Sequence, residues 1–512
     1  MLLAGCAVGP DFLHPAAPEV SGYTKEPLAP QTSSTDAPTG RSQRFVQGRD
    51  IAQEWWRMFK SPALNALIER SLNNNPNLQS AIATLRAANQ AVYAQEGKYF
   101  PLVQANFNPT YNQTSAALAP IPSSGVTVYG LHTAQLQVAY TLDIWGLNRR
   151  TVESLRAQAD SQRFQVEAAY LTLVSNIAVA AITEASLRGQ IDATTQLISI
   201  NKKMLGILRR QLETGYTDRL AVAAQEAALA QVVATLPPLR KALQQNRDLL
   251  SALAGVYTSE EPREKFTLAD LQLPADLPVS LPSQLIEQRP DVRMAQEQLH
   301  SASALIGVAT ANVLPSFTIN GNAGYMNTVL AGLLSPQNAF FTLAGNATQT
   351  VFDAGTLLHE LQEAKDTYHA AAWSYRGTVV AAVQNVTDSL RAIQNDADAL
   401  KAARDFERAA KVSLDLSLQQ VHFGLADELF LLNAQQTYLQ AIIQVVQARA
   451  ARLSDTAALY QALGGGWWNR PAPPTEKILN VGTGQAQTVT GKDKDEGFLR
   501  GLWPFPKGQV DN

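Results

Sequence analysis

Residues 99–142 read YFPLVQANFNPTYNQTSAALAPIPSSGVTVYGLHTAQLQVAYTL, 44 positions without one Asp, Glu, Lys or Arg. A second window, 298–352, holds 55 positions and is equally empty. The chain is 17% charged, so chance would place about seven and about nine charges there. Neither window is a membrane helix, because Pro, Gly, Asn, Gln, Thr and Ser interrupt every apolar run. The period is two. Val103, Ala105, Phe107, Pro109 and Tyr111 alternate with Gln104, Asn106, Asn108 and Thr110. Ala134, Leu136, Val138, Tyr140 and Leu142 alternate with Gln135, Gln137, Ala139 and Thr141. Phe317 and Ile319 stand against Thr318, Asn320 and Asn322, and Phe341 and Leu343 against Thr342, Ala344 and Asn346. Such alternation gives each strand one apolar and one uncharged polar face.

Each window therefore reads as a hairpin, with its loop near 113–130 or 326–338. A soluble sheet would carry Lys and Glu on its wet face. A barrel in lipid excludes charge from its outer face and spans with ~10-residue strands. Four strands leave two open edges, which cannot face hydrocarbon. Closure thus requires several chains: two copies supply eight strands, three supply twelve. On this reading the empty windows map the strands that meet lipid.

Working outward, the chain repeats itself. Leu285-Ile286-Glu287 echoes Leu67-Ile68-Glu69, Asp353-Ala354-Gly355 echoes Asp143-Ile144-Trp145-Gly146, and Gly424 echoes Gly215. Ala462-Leu463-Gly464-Gly465 echoes Ala252-Leu253-Ala254-Gly255. Each half reads helix, hairpin, long helix, turn, return helix. Segment 147–212 lacks Pro and carries a heptad seam of Val166, Tyr170, Leu173, Ile177, Ala180, Leu187, Ile191, Ile198, Leu205, Leu208 and Leu212. Glu184, Thr194 and Asn201 break it. The second seam runs Tyr375, Val379, Ala382, Val386, Ile393, Leu400, Ala403, Ala410, Leu414 and Val421. A sustained 3.5 period argues for coiled coil. At 1.5 Å per residue such a helix reaches roughly 100 Å, three bilayer thicknesses. Gly215 and Gly424 end the long helices, and the tip turns fall at Thr214–Asp218 and Phe423–Asp427.

Net charge is −3, which gives no electrostatic footprint for nucleic acid. The one cysteine excludes an intrachain disulfide or a Cys-based zinc site, and no two of the six histidines have metal spacing. No metal or cofactor is expected. No Ser/His/Asp or paired-carboxylate pattern stands out. Asp143 and Asp353 fall at strand-to-helix junctions, where helix N-terminal charge accounts for them. Gly464-Gly465-Gly466 follows no strand and makes a poor phosphate loop. An enzyme is therefore not expected. Leu3-Ala4-Gly5-Cys6 ends as a bacterial lipoprotein signal ends, so Cys6 is the expected lipidation site. Three acyl chains exceed what stable anchoring needs. Residues 1–5 read as a truncated signal, without basic or full apolar regions before Leu2. Ala7 replaces the Asp that would retain a lipoprotein in the inner membrane.

These residues resemble the TolC and OprM family of outer-membrane efflux channels, especially its lipoprotein branch that includes NodT. The motifs are GCAVGPDF at 5–12, Trp55-Trp56 before Phe59, LIEQRPDVRMAQEQL at 285–299, FDAG at 352–355, LLNAQ at 431–435 and LYQALGGGW, which begins at Leu459. The resemblance spans about 6–468. It implies an α+β membrane protein, mainly α. It implies a homotrimer that builds a 12-stranded outer-membrane β-barrel, four strands per chain, continuous with a long periplasmic α-helical coiled-coil barrel, each chain carrying two internal repeats. It implies docking to a periplasmic adaptor and, through it, to an inner-membrane pump of the resistance-nodulation-division type, for passive exit of drugs or small toxic molecules. In the family a periplasmic aperture closes just after the second tip glycine, in a pattern ending LLDAQ. Here those positions are Leu429, Phe430 and Asn433, with Asp427 and Glu428 nearer the mouth; the family's Asp is Asn433. The adaptor-docking tips would be Thr214, Gly215, Tyr216, Asp218, Phe423, Gly424 and Leu425. A type I secretion or metal-efflux duct of the same fold, or a non-conducting structural lipoprotein, are the alternatives.

The expected organisation is a signal remnant at 1–5, a lipidated linker at 6–50, and an equatorial segment with the first short helix at 51–100. The first transmembrane hairpin follows at 101–142, a long and a return helix at 143–255, and a Pro-rich connector at 256–284. The second repeat has a short helix at 285–314, a hairpin at 315–352, and long and return helices at 353–466. Residues 467–512 form the tail.

Overall fold

The computed structural model describes residues 7–17, 22–114, 128–423 and 428–470, with two short strands beyond. In chain order the elements are β1 (Arg44–Gln47), α1 (Pro62–Asn74), α2 (Pro76–Glu96), β2 (Leu102–Gln113), β3 (Val128–Leu142), α3 (Leu147–Glu213) and α4 (Arg219–Leu253). They continue with β4 (Asp276–Val279), α5 (Leu285–Gln288), α6 (Pro290–Asn312), β5 (Ser316–Asn327), β6 (Ala339–Thr348), α7 (Thr356–His422) and α8 (Glu428–Ala462). β7 (Lys477–Leu479) and β8 (Ala486–Thr488) pair in the tail. α3 and α7 each run 67 residues, and α4 and α8 each run 35. Two compact units result. One holds residues 1–16, 84–163 and 294–378; the other holds the rest.

The first unit contains the sheet. Its order is β2-β3-β5-β6, antiparallel throughout. The two hairpins meet along β3 and β5, from His132 opposite Asn327 to Leu142 opposite Phe317. β2 and β6 are the outer strands. The uncharged window 298–352 is not all sheet, and this corrects its reading as a map of lipid contact. Its first part is the end of α6, where Leu299, Ala302 and Ala304 are buried. There Ser301 Oγ meets Ser154 Oγ of α3 at 2.8 Å. Small residues let the two helices approach, and a charge would be buried there without a partner.

In the second unit the seam residues Ile177, Ala180, Leu208, Ala382, Val386, Ile393, Leu400 and Leu414 are buried. The three residues that break the first seam are buried too, Glu184 and Thr194 at 0% exposure and Asn201 at 1%. Each meets a polar partner, although Glu184 Oε2 finds none among the described residues. Glu184 Oε1 pairs with Arg188 at 2.7 Å and with Arg247 of α4 at 3.0 Å. Thr194 Oγ1 donates to Gln190 O, and Asn201 Nδ2 to Leu197 O. Arg247 also ties down the connector through Pro262 O at 2.6 Å and Glu264 O at 3.1 Å. That connector contains a strand the sequence did not announce: β4 pairs in parallel with β1, Arg44 opposite Asp276. α4 runs unbroken through Pro237 and Pro238. The Trp box is core: Trp55 and Trp56 are buried, and Trp55 lies flat on Tyr460 of α8, 5.2 Å between centroids and 9° apart.

Candidate functional site: wall, aperture, tips and anchor segment

Directly opposed residues of an antiparallel sheet share a face. One row therefore reads Ala105, Leu136, Ala323, Phe341, and its neighbour two positions away Val103, Val138, Gly321, Leu343. The opposite face carries Gln104, Gln137, Asn322 and Thr342 in one row, with Asn106, Gln135, Gly324 and Phe340 in the next. Asn106 Nδ2 donates to Gln137 Oε1 at 3.4 Å. Among the described residues nothing covers the apolar face: Phe341 is 84% exposed, Leu343 76% and Val103 61%. The sequence anticipated both faces, but not which residues stand in line.

The first charge after each hairpin has the same job. Asp143 accepts from the backbone N–H of Asn148 at 2.8 Å and of Arg149 at 3.0 Å, at the start of α3. Asp353 accepts from Gly355 N at 2.9 Å and Leu357 N at 2.8 Å, at the start of α7. Those N–H groups hold the Asp353 carboxyl below its usual range. Both carboxylates cap helix ends whose free N–H groups attract negative charge.

Near the Gly215 turn, Met204, Leu205 and Leu208 of α3 pack with Val222 of α4, Leu414 of α7, and Leu431 and Ala434 of α8. Leu431 and Ala434 fill the buried face of α8. Phe430 and Asn433, three apart, share another face. Phe430 is 54% exposed and Asn433 is also exposed, so neither packs inside the chain. The side chains of Glu428 and Leu429, and Asp427 altogether, lie outside the described residues, as do Gly424 and Leu425.

The first tip is fully described. Gly215 has φ +76°, a left-handed conformation that ends α3. Tyr216 N bonds back to Gln211 O at 2.8 Å, and Thr214 Oγ1 donates to Arg210 O. Asp218 Oδ1 caps α4 by accepting from Ala221 N at 2.9 Å. Tyr216, 85% exposed, projects from this turn. On the second tip Phe423 is exposed, its N–H bonded to Gln419 O.

Cys6 lies outside the described residues; the segment just after it does not. Val8 N donates to Trp145 O at 3.0 Å, and Arg150 of α3 donates to Val8 O and meets Asp11 at 2.8 Å. Gly9, with φ +93°, lies so close to Gly307 of α6 that a Cβ would stand 2.4 Å from the Gly307 Cα. Phe12 stacks on His300, 4.3 Å between centroids. His300 in turn contacts Glu153 at 3.1 Å and Glu297 at 3.5 Å. Arg150, His300 and Gly307 form this seat, and sequence reasoning named none of them for it. Gly307 inside a helix was the one available signal. Among the described residues no group of three His, Cys, Asp or Glu is placed to hold a metal.

A four-stranded sheet with one apolar and one amide-rich face, feeding helices of 67 residues, is the build of an outer-membrane channel protein. The outer membrane efflux protein family matches residues 67–256 and 281–465, and the chain belongs to that family. It is 27% identical over 471 residues to the probable efflux pump outer membrane protein TtgC of Pseudomonas putida, covering 92% of this chain and 94% of that one. It is likewise 27% identical over 454 residues to the pyoverdine export outer membrane protein OpmQ of Pseudomonas aeruginosa, covering 86% and 93%. Its fold is similar to the Campylobacter jejuni CmeC outer membrane channel, with TM-score 0.81, 20% identity, and 90% and 95% of the two chains covered. The open-state MtrE outer membrane channel of Neisseria gonorrhoeae gives 0.77, 25% identity, and 90% and 98%.

Proposed function

We propose that this chain is one third of a trimeric exit duct for small molecules, anchored in the outer membrane through Cys6. The paired rows of the sheet carry the reading: Ala105, Leu136, Ala323 and Phe341 suit lipid, while Gln104, Gln137, Asn322 and Thr342 suit water. The outer strands β2 and β6 call for a neighbour, since an open edge in hydrocarbon leaves N–H and C=O groups unsatisfied. Three copies close twelve strands. The two halves of the chain act as repeats, each giving two strands, one long helix and one return helix. Other surfaces also await a partner copy. α4 holds an apolar stretch only 22% buried, and Trp373, Val412 and Leu416 are exposed.

In the trimer, Phe430 and Asn433 line the periplasmic aperture with Leu429, and Asp427 and Glu428 add negative charge near its mouth. Thr214, Gly215, Tyr216 and Asp218, with Phe423, Gly424 and Leu425, form the tips that meet a periplasmic adaptor. A pump of the resistance-nodulation-division type in the inner membrane supplies the energy. The similarity to efflux-pump components such as TtgC supports this assignment. The test is the mass of the purified protein in detergent and its conductance in a planar bilayer. A trimer that conducts is expected; a monomer, or a trimer that never conducts, overturns the reading.

A further inference from the structure

Residues 29–43 form a strap against α7 and α8. Gln394 of α7 donates to Ala29 O, and Arg404 of α7 to Asp36 O at 3.1 Å. The principal clamp is Arg452 of α8, which is fully buried. Its guanidinium donates to Arg41 O at 2.7 Å, Thr39 O at 2.8 Å, Thr32 Oγ1 at 2.9 Å and Gln43 Oε1 at 3.3 Å. One helical turn further on, the Asp455 carboxyl meets the Asp396 carboxyl of α7. Asp396 lies between Ile393 and Leu400, on the heptad seam where an apolar residue is the rule. Its Oδ2 is buried, and among the described residues no N–H or hydroxyl is aimed at it.

Two carboxylates in contact cannot both stay ionised at modest cost. A single proton between them removes the repulsion and gives the buried oxygen its hydrogen bond. The charged groups facing Asp396 are Asp455 and Arg452, both from α8. The strap offers Arg452 uncharged groups: Thr32, Gln43 and two backbone carbonyls. With one proton bound, the pair carries one negative charge beside one guanidinium. Without it, the pair carries two, α7 and α8 repel at the contact, and Arg452 is drawn from the strap toward the carboxylates.

We propose that the proton shared by Asp396 and Asp455 is a latch: bound, it fastens α8 to α7 and leaves Arg452 to hold the strap; lost, it releases the strap. Burial and the Asp455 charge push the Asp396 carboxyl up to about 7, against the opposing pull of Arg452. The unfolded chain gives up this proton near the ordinary carboxylate value, so the native state binds the extra proton in the interval above it. The latch's stabilisation is therefore complete at acid pH and is lost as pH rises through about 7.

The test uses the full-length protein in detergent, compared between about pH 5.5 and about pH 8.5, on either side of the titration. Infrared difference spectra should show a protonated carboxylic acid at the lower pH that disappears at the higher. Hydrogen exchange of strap amides 32–43, corrected for intrinsic rate, should accelerate by at most about tenfold per pH unit as pH rises toward the titration, the slope one proton allows, and level off above it. Asp396→Asn and Asp455→Asn each supply an N–H donor without a titration, so both should remove the infrared band and flatten the strap's pH response. Asp398→Asn, at an exposed neighbour on α7, should change neither. Absence of the band in the unaltered protein overturns the proposal, and so does a strap response that survives both Asn substitutions.

Discussion

Gln225 of α4 donates its side-chain N–H to Asn201 Oδ1 of α3 at 2.8 Å, both residues 1% exposed. Gln435 of α8 is equally buried, yet neither end of its amide finds a hydrogen-bond partner among the described residues. The two glutamines predict opposite responses. Asn201→Ala removes the closer acceptor of the Gln225 amide, leaving it only Asn201 O at 3.3 Å, and should lower stability by ~1 kcal/mol. Gln435→Leu removes an orphaned amide and should be neutral or stabilising, since an apolar group of similar shape needs no partner. Denaturant unfolding of the two variants checks both signs; a strongly destabilised Gln435→Leu would reveal a partner in the assembled protein.

The sheet faces predict asymmetric tolerance of charge. Leu136→Arg puts a guanidinium on the apolar row and should cost ~2–4 kcal/mol if that row lies near the bilayer midplane. Gln137→Arg, one residue on, faces the other way and should be accepted. The yield of assembled oligomer in the outer-membrane fraction reads the difference. Equal yields would mean that the apolar face does not meet lipid.

In the proposed aperture, Asn433 occupies the position where the resembled pattern has Asp. Asn433→Asp should place three negative charges in a ring and raise cation preference. Reversal potentials in a salt gradient measure it, and an unchanged potential would exclude Asn433 from the pore lining.

The segment after Cys6 should depend on Gly9. Gly9→Val forces a β-branched residue into a left-handed conformation, at ~1–3 kcal/mol, and drives a side chain into Gly307, whose Cα lies 2.4 Å from the Cβ position. Phe12 should leave His300 and become a chymotrypsin site, while mass spectrometry still finds Cys6 acylated. Equal resistance to cleavage would show that the segment is held without its Gly9 contact.

What could be read early was periodic. Strands β2 and β3 and the span of α3 follow from repeats of two and of seven residues, patterns contained within one element. Glu184 and Asn201 look like faults in the heptad because they also have partners elsewhere: Arg247 stands 63 residues from Glu184, and Gln225 24 from Asn201. α4 passes through Pro237 and Pro238, where local rules expect a kink or an end. β4 is a Pro-containing four-residue strand whose signal comes entirely from its pairing with β1.

The sequence by itself determined the two kinds of surface this protein needs, because apolar spacing and absence of charge are properties of the chain in any conformation. The tertiary structure alone decided which residues stand in register across β3 and β5, which arginines hold the strap and connector, and which buried polar groups find partners. Those choices join residues far apart in the chain. They rest on hydrogen-bond distances and the space left between helices, and no local pattern encodes either.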